Sequence, residues 1–394
     1  MDLGARPGTS LTVDLDDAQR ALTLAESLVS HGIAALRAHG VDEQQVLAYD
    51  VAHGAAAAAT ARAGLEYGRS GDLEARLACA FVADVVSELQ GHVAGRSSLW
   101  SVGNGIFEPV EGFLARHRDP TVLAALCGIE LPRRLSEELE LARETFHRFA
   151  LLEIRPHAER VHRENADIPE RIVDGLAEVG GFGLSVPEEY GGAATGTESD
   201  YLAMVVATEE LSWGSLGIGG SLITRPEILT RALVSGGTDE QKRRWLPKLA
   251  SGELLVAVAV TEPDYGSDVA EISTSATAAE GGWRVNGVKT WCTFAARADA
   301  LMLLARTDPD RTKRHRGLSL FVVDKEPATG RGFVIRQDGG TLEGRPIDTL
   351  GYRGMHSYEL AFENWFVPRE NLVGGDAGAG RGFYLQMQGF ENGR

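Results

Sequence analysis

The sequence predicts an α+β multidomain protein in which two helical blocks precede an antiparallel β-barrel. Three observations carry this. Strong helix formers with apolar residues at helical spacing fill most of residues 16–95 and return after Ser136. From Leu255 the pattern switches to short alternating runs separated by turn residues. At 394 residues the chain is also too long for one core, so two or three domains are expected.

In the first block, Ala55 to Ala59 and then Leu77, Ala80, Phe81, Val85 and Leu89 mark helices, punctuated by Gly68, Gly71, Gly91 and Gly95. Ser97 to Pro132 is a mixed connector carrying short helices. In the second block, Ser136 is a good N-cap, and Glu137, Glu138 and Glu140 complement the helix dipole behind it. Leu139, Ala142, Phe146 and Phe149 form the apolar stripe. Another helix opens near Pro169, carries Ile172, Val173, Leu176 and Val179, and stops at Gly180-Gly181. Two more are predicted around Tyr201 to Ser212 and Glu227 to Val234. Thr238 to Gln241 is a capping-box pattern that opens a last helix with Trp245 and Leu246 on its apolar side.

In the β region, Val256, Val258 and Val260 alternate with Ala257 and Ala259 as a short buried strand. Trp283-Arg284-Val285, the pair Asn286-Gly287, and Val288 to Trp291 predict a hairpin. Further strands fit Leu301 to Ala305, Leu318 to Val323, Phe333 to Arg336 and Tyr358 to Phe362. Strands at this spacing without intervening helices indicate an antiparallel barrel or sandwich of about 110 residues. Helices resume after Gly382, and that last helix is expected to find no core within these residues. The resulting division is a helical extension (1–130), a second helical domain (131–254), a barrel (255–372) and the start of a further helical domain cut short (373–394).

The composition narrows the function. A net charge of −17 argues against a nucleic-acid partner, because phosphate backbones need a positive surface. One basic cluster stands against this background: Arg311, Lys313, Arg314, His315 and Arg316, between two strands. It reads either as a solvated loop or as a contact for the phosphates of an anionic ligand. The three cysteines, Cys79, Cys127 and Cys292, form no CxxC pair and no metal spacing, which predicts ordinary core or partly buried thiols. No apolar run reaches the roughly 18 residues of a membrane span, and no leader pattern opens the chain, so a cytoplasmic location is expected.

Chemistry is concentrated in Val258 to Asp268 and Lys289 to Thr293. A strand ending in Thr261 before a Pro/Gly turn sets a hydroxyl and several backbone N–H groups at the barrel rim. Such groups can satisfy the polar edge of a buried planar heterocycle. Trp291 and Thr293 on a second strand add an aromatic face and another hydroxyl. Taken singly, the two stretches equally describe a plain strand–turn and a core tryptophan.

Together and in this order they resemble the acyl-CoA dehydrogenase family. Its Thr-Glu-Pro-x-x-Gly-Ser-Asp motif is Thr261 to Asp268, and its Lys-x-Trp-x-Thr motif is Lys289 to Thr293. Gly180 to Gly192 and Gly389 to Arg394 match as well, so the resemblance covers about two thirds of the chain, residues 136–394. The resemblance implies an acyl-CoA dehydrogenase-type α-helical domain, a middle β-barrel and a C-terminal four-helix bundle that these residues lack. It implies FAD, with Val258, Val260, Thr261, Trp291 and Thr293 lining the isoalloxazine and Ser267 between the flavin and the CoA arm. Glu391 and Arg394 are placed near the acyl-CoA, and Arg316 near its phosphates. The reaction implied is removal of an α-proton by a carboxylate while the β-hydrogen leaves as hydride to the flavin. The implied partners are an acyl-CoA substrate and an electron-transferring flavoprotein, with a homo-oligomer (tetramer or dimer) as the family habit.

One departure matters. In a minority of the family the base immediately precedes the arginine that is here Arg394, but Gly393 stands there. No catalytic residue is therefore assigned among these residues, and alone they are expected to hold little FAD and turn nothing over. Ala295 to Asp299, Leu304 to Pro309, Leu350 to Met355 and Tyr358 to Phe362 resemble members acting on methylsuccinyl-CoA, which also carry a helical extension. Such a substrate needs a cation or a fan of donors for its far carboxylate, and Arg225 is the candidate, against the alternative of an ion pair with Glu227 or a surface acid. An acyl-CoA oxidase and a non-catalytic binding relic are the competing readings.

Overall fold

The computed structural model describes residues 15–129, 133–329 and 331–390. The chain divides into two compact units, one ending at Arg134 and one starting at Leu135.

The first unit is helical: α1 (Leu15–His39), α2 (Gln45–Gly68) and α3 (Asp72–Val93) are followed by α4 (Glu111–His117) and α5 (Pro120–Leu126). Leu22, Leu28, Leu65, Val86, Leu89 and Trp100 form its core. Two carboxylates inside it have partners: Asp50 pairs with Arg96 at 3.0 Å and lies 3.1 Å from His92 Nδ1, and Glu74 pairs with Arg134 at 2.6 Å. An unpaired charge at such positions would be costly.

The second unit begins with α6 (Glu137–Phe149), α7 (Arg155–Glu164), α8 (Glu170–Glu178), α9 (Glu198–Ser215), α10 (Thr224–Gly236) and α11 (Asp239–Ser251). Ser136 caps α6 by accepting from Leu139 N–H at 3.3 Å. The Thr238/Gln241 capping box that opens α11 is formed in both directions. A π-helical turn at Leu216–Gly220 carries the end of α9 toward α10, delivering the chain to Thr224 and Arg225.

Strands β1 (Val256–Ala259), β2 (Ser275–Ala279), β3 (Gly282–Thr293), β4 (Ala300–Arg306), β5 (Leu318–Asp324), β6 (Phe333–Gln337), β7 (Gly340–Ile347) and β8 (Ser357–Pro368) follow, and α12 (Gly382–Gly389) closes the described chain. They form one curled sheet in the order β1-β4-β2-β3-β8-β7-β6, with β5 also on β4. Most pairs are antiparallel, but β1 joins β4 in parallel. Every residue of β4 is buried. Leu301, Leu303 and Ala305 face one hydrophobic cluster, and Ala300, Met302 and Leu304 face another. Two covered faces explain why this strand is apolar throughout instead of alternating with polar residues.

Two expectations need correction. Asn286-Gly287 is not a hairpin turn: residues 282–293 run as one strand, and the turn lies at Glu280-Gly281, with Gly281 at φ +75°. Asn286 is instead held at a bulge, its Oδ1 accepting from Asn364 N–H at 2.8 Å. Nor is α12 without a core. Leu385 is buried in the cluster that also holds Ile228, Leu233 and Leu320. A Cβ on Gly382 would come within 2.3 Å of the Ser319 carbonyl carbon, and one on Gly389 within 2.6 Å of the Ile228 carbonyl oxygen. These glycines let α12 approach the sheet and α10 more closely than a larger residue allows. Strands β2 and β7 were not expected, because Ser-Ala-Thr-Ala-Ala and a run holding Gly344 and Pro346 have weak strand character.

Of the three thiols, Cys79 and Cys292 are buried and Cys127 is exposed. We expect one equivalent of thiol to react with Ellman's reagent in the native protein, and three after denaturation. A native count of two or three would contradict the packing around Cys79 or Cys292.

Candidate active site

The two motif strands are fastened together by a buried ion pair. Lys289 Nζ lies 2.9 Å from Glu262 Oε1, with the side chains 0% and 3% exposed. Lys289 Nζ also donates to the Val260 carbonyl at 2.9 Å. Glu262 Oε1 accepts further from Thr274 N–H at 2.8 Å, and its Oε2 accepts from Ser273 N–H and Oγ, both at 2.7 Å. Burial pushes the Glu262 carboxyl up, but the Lys289 charge and these hydrogen bonds outweigh it and hold the pKa at about 2. The adjacent Cys292 thiol is pushed by burial up to about 12, against the pull of Lys289. It is therefore a packed, protonated thiol and not a nucleophile.

This anchor shapes the backbone beside it. Thr290 N–H donates to the Thr261 carbonyl at 2.8 Å, joining the end of the β1 segment to β3. The β3/β8 register then slips between Lys289 and Cys292, and Trp291 adopts φ +58°, uncommon for a non-glycine residue. The irregularity turns the Trp291 side chain outward, leaving it 57% exposed. Thr293, one step past the slip, is buried with its hydroxyl 3.0 Å from Ser357 Oγ.

A cleft of about 220 Å³ opens at this point. Val258, Val260 and Thr261 line it from the end of β1, and Thr290, Trp291 and Thr293 from β3. Helix α10 contributes Thr224, Arg225 and Ile228, and α12 contributes Gln386 and Phe390. Five of the six residues expected at a cofactor thus meet in one cleft, together with Arg225. Arg225 is not paired with Glu227, which is bound to Arg231 at 3.1 Å. Its Nη1 donates to Thr224 Oγ1 at 2.7 Å and its guanidinium lies 5.9 Å from the Tyr352 ring centre. Among the described residues no carboxylate lies within ion-pair distance of it.

Ser267 and Arg316 do not line the cleft and are both exposed; Ser267 sits on the loop whose Gly266 and Val269 do line it, and Arg316 lies in the irregular 3-10 segment Arg311–Gly317. Loop and segment are bridged, by Arg314 to Asp268 at 3.5 Å. Much of the basic cluster is neutralised locally: Lys313 pairs with Asp308 at 2.5 Å, and Arg311 and Arg314 approach Glu271. Arg316 has no acidic partner among the described residues. Glu391, Gly393 and Arg394 lie outside the described residues. Sequence reasoning missed the structural part of Glu262 and Lys289 and the placing of Gln386. The available signal for the first was two opposite charges, each set inside a largely apolar strand end.

A sheet domain covered by helices, with a cleft where an aromatic face and threonine hydroxyls meet a cation, defines a ligand-binding enzyme core. Residues 136–253 match the acyl-CoA dehydrogenase N-terminal domain and residues 257–365 the middle domain, so the chain belongs to the acyl-CoA dehydrogenase family. It is 47% identical over 260 residues to (2S)-methylsuccinyl-CoA dehydrogenase of Cereibacter sphaeroides, covering 66% of this chain and 45% of the relative. It is 39% identical over 252 residues to mitochondrial isovaleryl-CoA dehydrogenase of Solanum tuberosum, covering 63% and 56%. A solved glutaryl-coenzyme A dehydrogenase in complex with glutaryl-CoA superposes with a TM-score of 0.56 at 32% identity, over 65% of this chain and 60% of that one. The chain spans about half the length of the curated relatives it matches. Among the described residues no helix is long and apolar enough to cross a membrane.

The ion pair carries a stability prediction. Removing Glu262 strands a buried ammonium, so Glu262→Ala is expected to cost about 3–5 kcal/mol in urea unfolding. Because the folded pKa of Glu262 lies below its usual 4.5, its contribution is complete above that value and is lost as pH falls toward 2. Glu262→Gln should flatten this acid limb, and an unchanged limb would show that other carboxylates set it.

Proposed function

We propose that this protein is an FAD-dependent acyl-CoA dehydrogenase acting on a short branched dicarboxylic acyl-CoA, converting methylsuccinyl-CoA to mesaconyl-CoA. The observation that carries the substrate reading is Arg225, a guanidinium without a carboxylate partner among the described residues, lining the same cleft as the flavin-type residues. The similarity to methylsuccinyl-CoA dehydrogenase supports it. So does the likeness to an enzyme solved with glutaryl-CoA, whose acyl group likewise ends in a carboxylate.

The walls fit a flavin ring. Trp291 offers a flat exposed face, Val258 and Val260 an apolar floor, and Thr261 and Thr293 hydroxyls for a polar heterocycle edge. When bound there, FAD supplies the two-electron acceptor. The chain's own residues orient and exclude water: Val258, Val260 and Ile228 keep the cleft dry, which strengthens hydrogen bonds to a thioester carbonyl. Arg225 holds the far carboxylate as a bidentate cation. Ser267 and Arg316, on their bridged loops, are proposed to contact the CoA arm and its phosphates. Glu391 and Arg394 are proposed near the acyl-CoA. No Asp or Glu lines the cleft among the described residues, so α-proton removal is assigned to none of them. An electron-transferring flavoprotein is the proposed electron acceptor, and a homo-oligomer the proposed assembly.

The test is Arg225→Ala in the complete gene product, followed by dye reduction with methylsuccinyl-CoA and with neutral 2-methylbutyryl-CoA. We expect kcat/KM for the diacid to fall at least about tenfold more than for the neutral thioester, tenfold being 1.4 kcal/mol of lost transition-state binding. Equal losses would remove Arg225 from the acyl site. For the cofactor, Trp291→Ala combined with Thr261→Val is expected to lower the bound flavin per chain, read by absorbance. Full flavin occupancy in that variant would mean that this cleft does not hold the ring.

A further inference from the structure

One buried polar group in the cleft is unexplained by packing. Gln386 is 1% exposed, yet neither its Nε2 nor its Oε1 has a hydrogen-bond partner among the described residues. Buried amides are almost always satisfied, and each exception calls for an account. The setting sharpens the question. Leu385, its neighbour on α12, packs into an apolar cluster, and a Leu or Met at 386 would occupy a similar volume with no polar atom to strand. Gln386 lines the cleft together with Arg225, on helices α12 and α10 that pack against one another. The position of α12 is fixed by the close glycine contacts at Gly382 and Gly389, so this amide is held in place and not free to swing out to solvent.

We propose that Gln386 is a specificity-determining residue, the second half of a clamp for the terminal carboxylate of the acyl group; this rests on the dicarboxylic reading above. A carboxamide carries two N–H donors and one acceptor oxygen, while a guanidinium carries five donors and a carboxylate only acceptors. The three groups are complementary. Nε2 of Gln386 donates to one carboxylate oxygen, Arg225 donates to the carboxylate, and a remaining Arg225 N–H donates to Gln386 Oε1. Arg225 supplies the charge, and Gln386 fixes the plane in which the carboxylate lies. A neutral acyl group in the same place leaves the amide and part of the guanidinium unsatisfied. Sites built around buried hydrogen-bonding groups reject analogues that lack the matching group far more strongly than apolar pockets reject a missing methylene.

The experiment uses the complete, flavin-loaded gene product and isothermal titration with two probes, methylsuccinyl-CoA and 2-methylbutyryl-CoA. Wild type is compared with Gln386→Met and with the isosteric Gln386→Glu, each checked by thermal melting and flavin content. We expect the ratio of the two affinities to shift away from the diacid by about tenfold or more in Gln386→Met. A larger shift is expected in Gln386→Glu, where a carboxylate meets a carboxylate. If one variant fails to fold, the other decides. An unchanged ratio in a folded variant overturns the proposal while leaving the Arg225 reading intact. Loss of flavin with an unchanged ratio would assign the amide to the cofactor and equally overturn it. Wild type binding the diacid no tighter than the neutral probe would sink the dicarboxylic reading itself, and Gln386's part with it.

Discussion

The pairing of Glu262 with Lys289 is the constraint on which the cleft depends. Each residue is the immediate chain neighbour of a cleft-lining residue, Thr261 for Glu262 and Thr290 for Lys289, and neither lines the cleft itself. Two buried charges are tolerable only when nearly every donor and acceptor is used, and here the carboxylate takes four hydrogen bonds from the protein. Such a pair fixes one register between β3 and the segment leaving β1, because a one-residue slip would leave both charges stranded. What it adds to the protein is therefore geometric definition more than net stability.

The sheet extends that definition outward. Strand β4, beside β1, is packed on both faces, so the strand ends cannot tilt toward either hydrophobic layer. Helices α10 and α12 then sit over one face at a separation set by glycine, and their side chains add a guanidinium and an amide to the hydroxyls that the strand segments supply. The cleft is thus a junction of two rigid elements, which suits a site that must present donors at fixed positions.

Much of this was readable in the residues. The helical periodicities, the Ser136 and Thr238 caps and the apolar runs of β1, β4 and β5 are local signals, and the structure follows them. The convergence of Thr261, Arg225 and the Trp291/Thr293 pair was reached through resemblance and not spacing, because three segments thirty or more positions apart meet only through tertiary pairing. The Asn286-Gly287 signal misled for a related reason. A turn-forming pair also suits a bulge, and the partner that decides between them, Asn364, lies 78 residues away. Gln386 could not be singled out at all. Its significance comes from having no hydrogen-bond partner, and a sequence does not show partners.

Trp291 makes a different kind of demand. A tryptophan at φ +58° holds a backbone shape that costs of order 1–3 kcal/mol and persists only where its surroundings enforce it. The enforcement comes from the Lys289 anchor two residues earlier and the buried Thr293 two residues later. Between those fixed points the peptide is under torsional load, like a short beam clamped at both ends. The wall of the cleft is therefore its least forgiving point. A perturbation that slackens either clamp lets the ring swing back toward an ordinary extended strand, erasing the aromatic face while the domain stays folded.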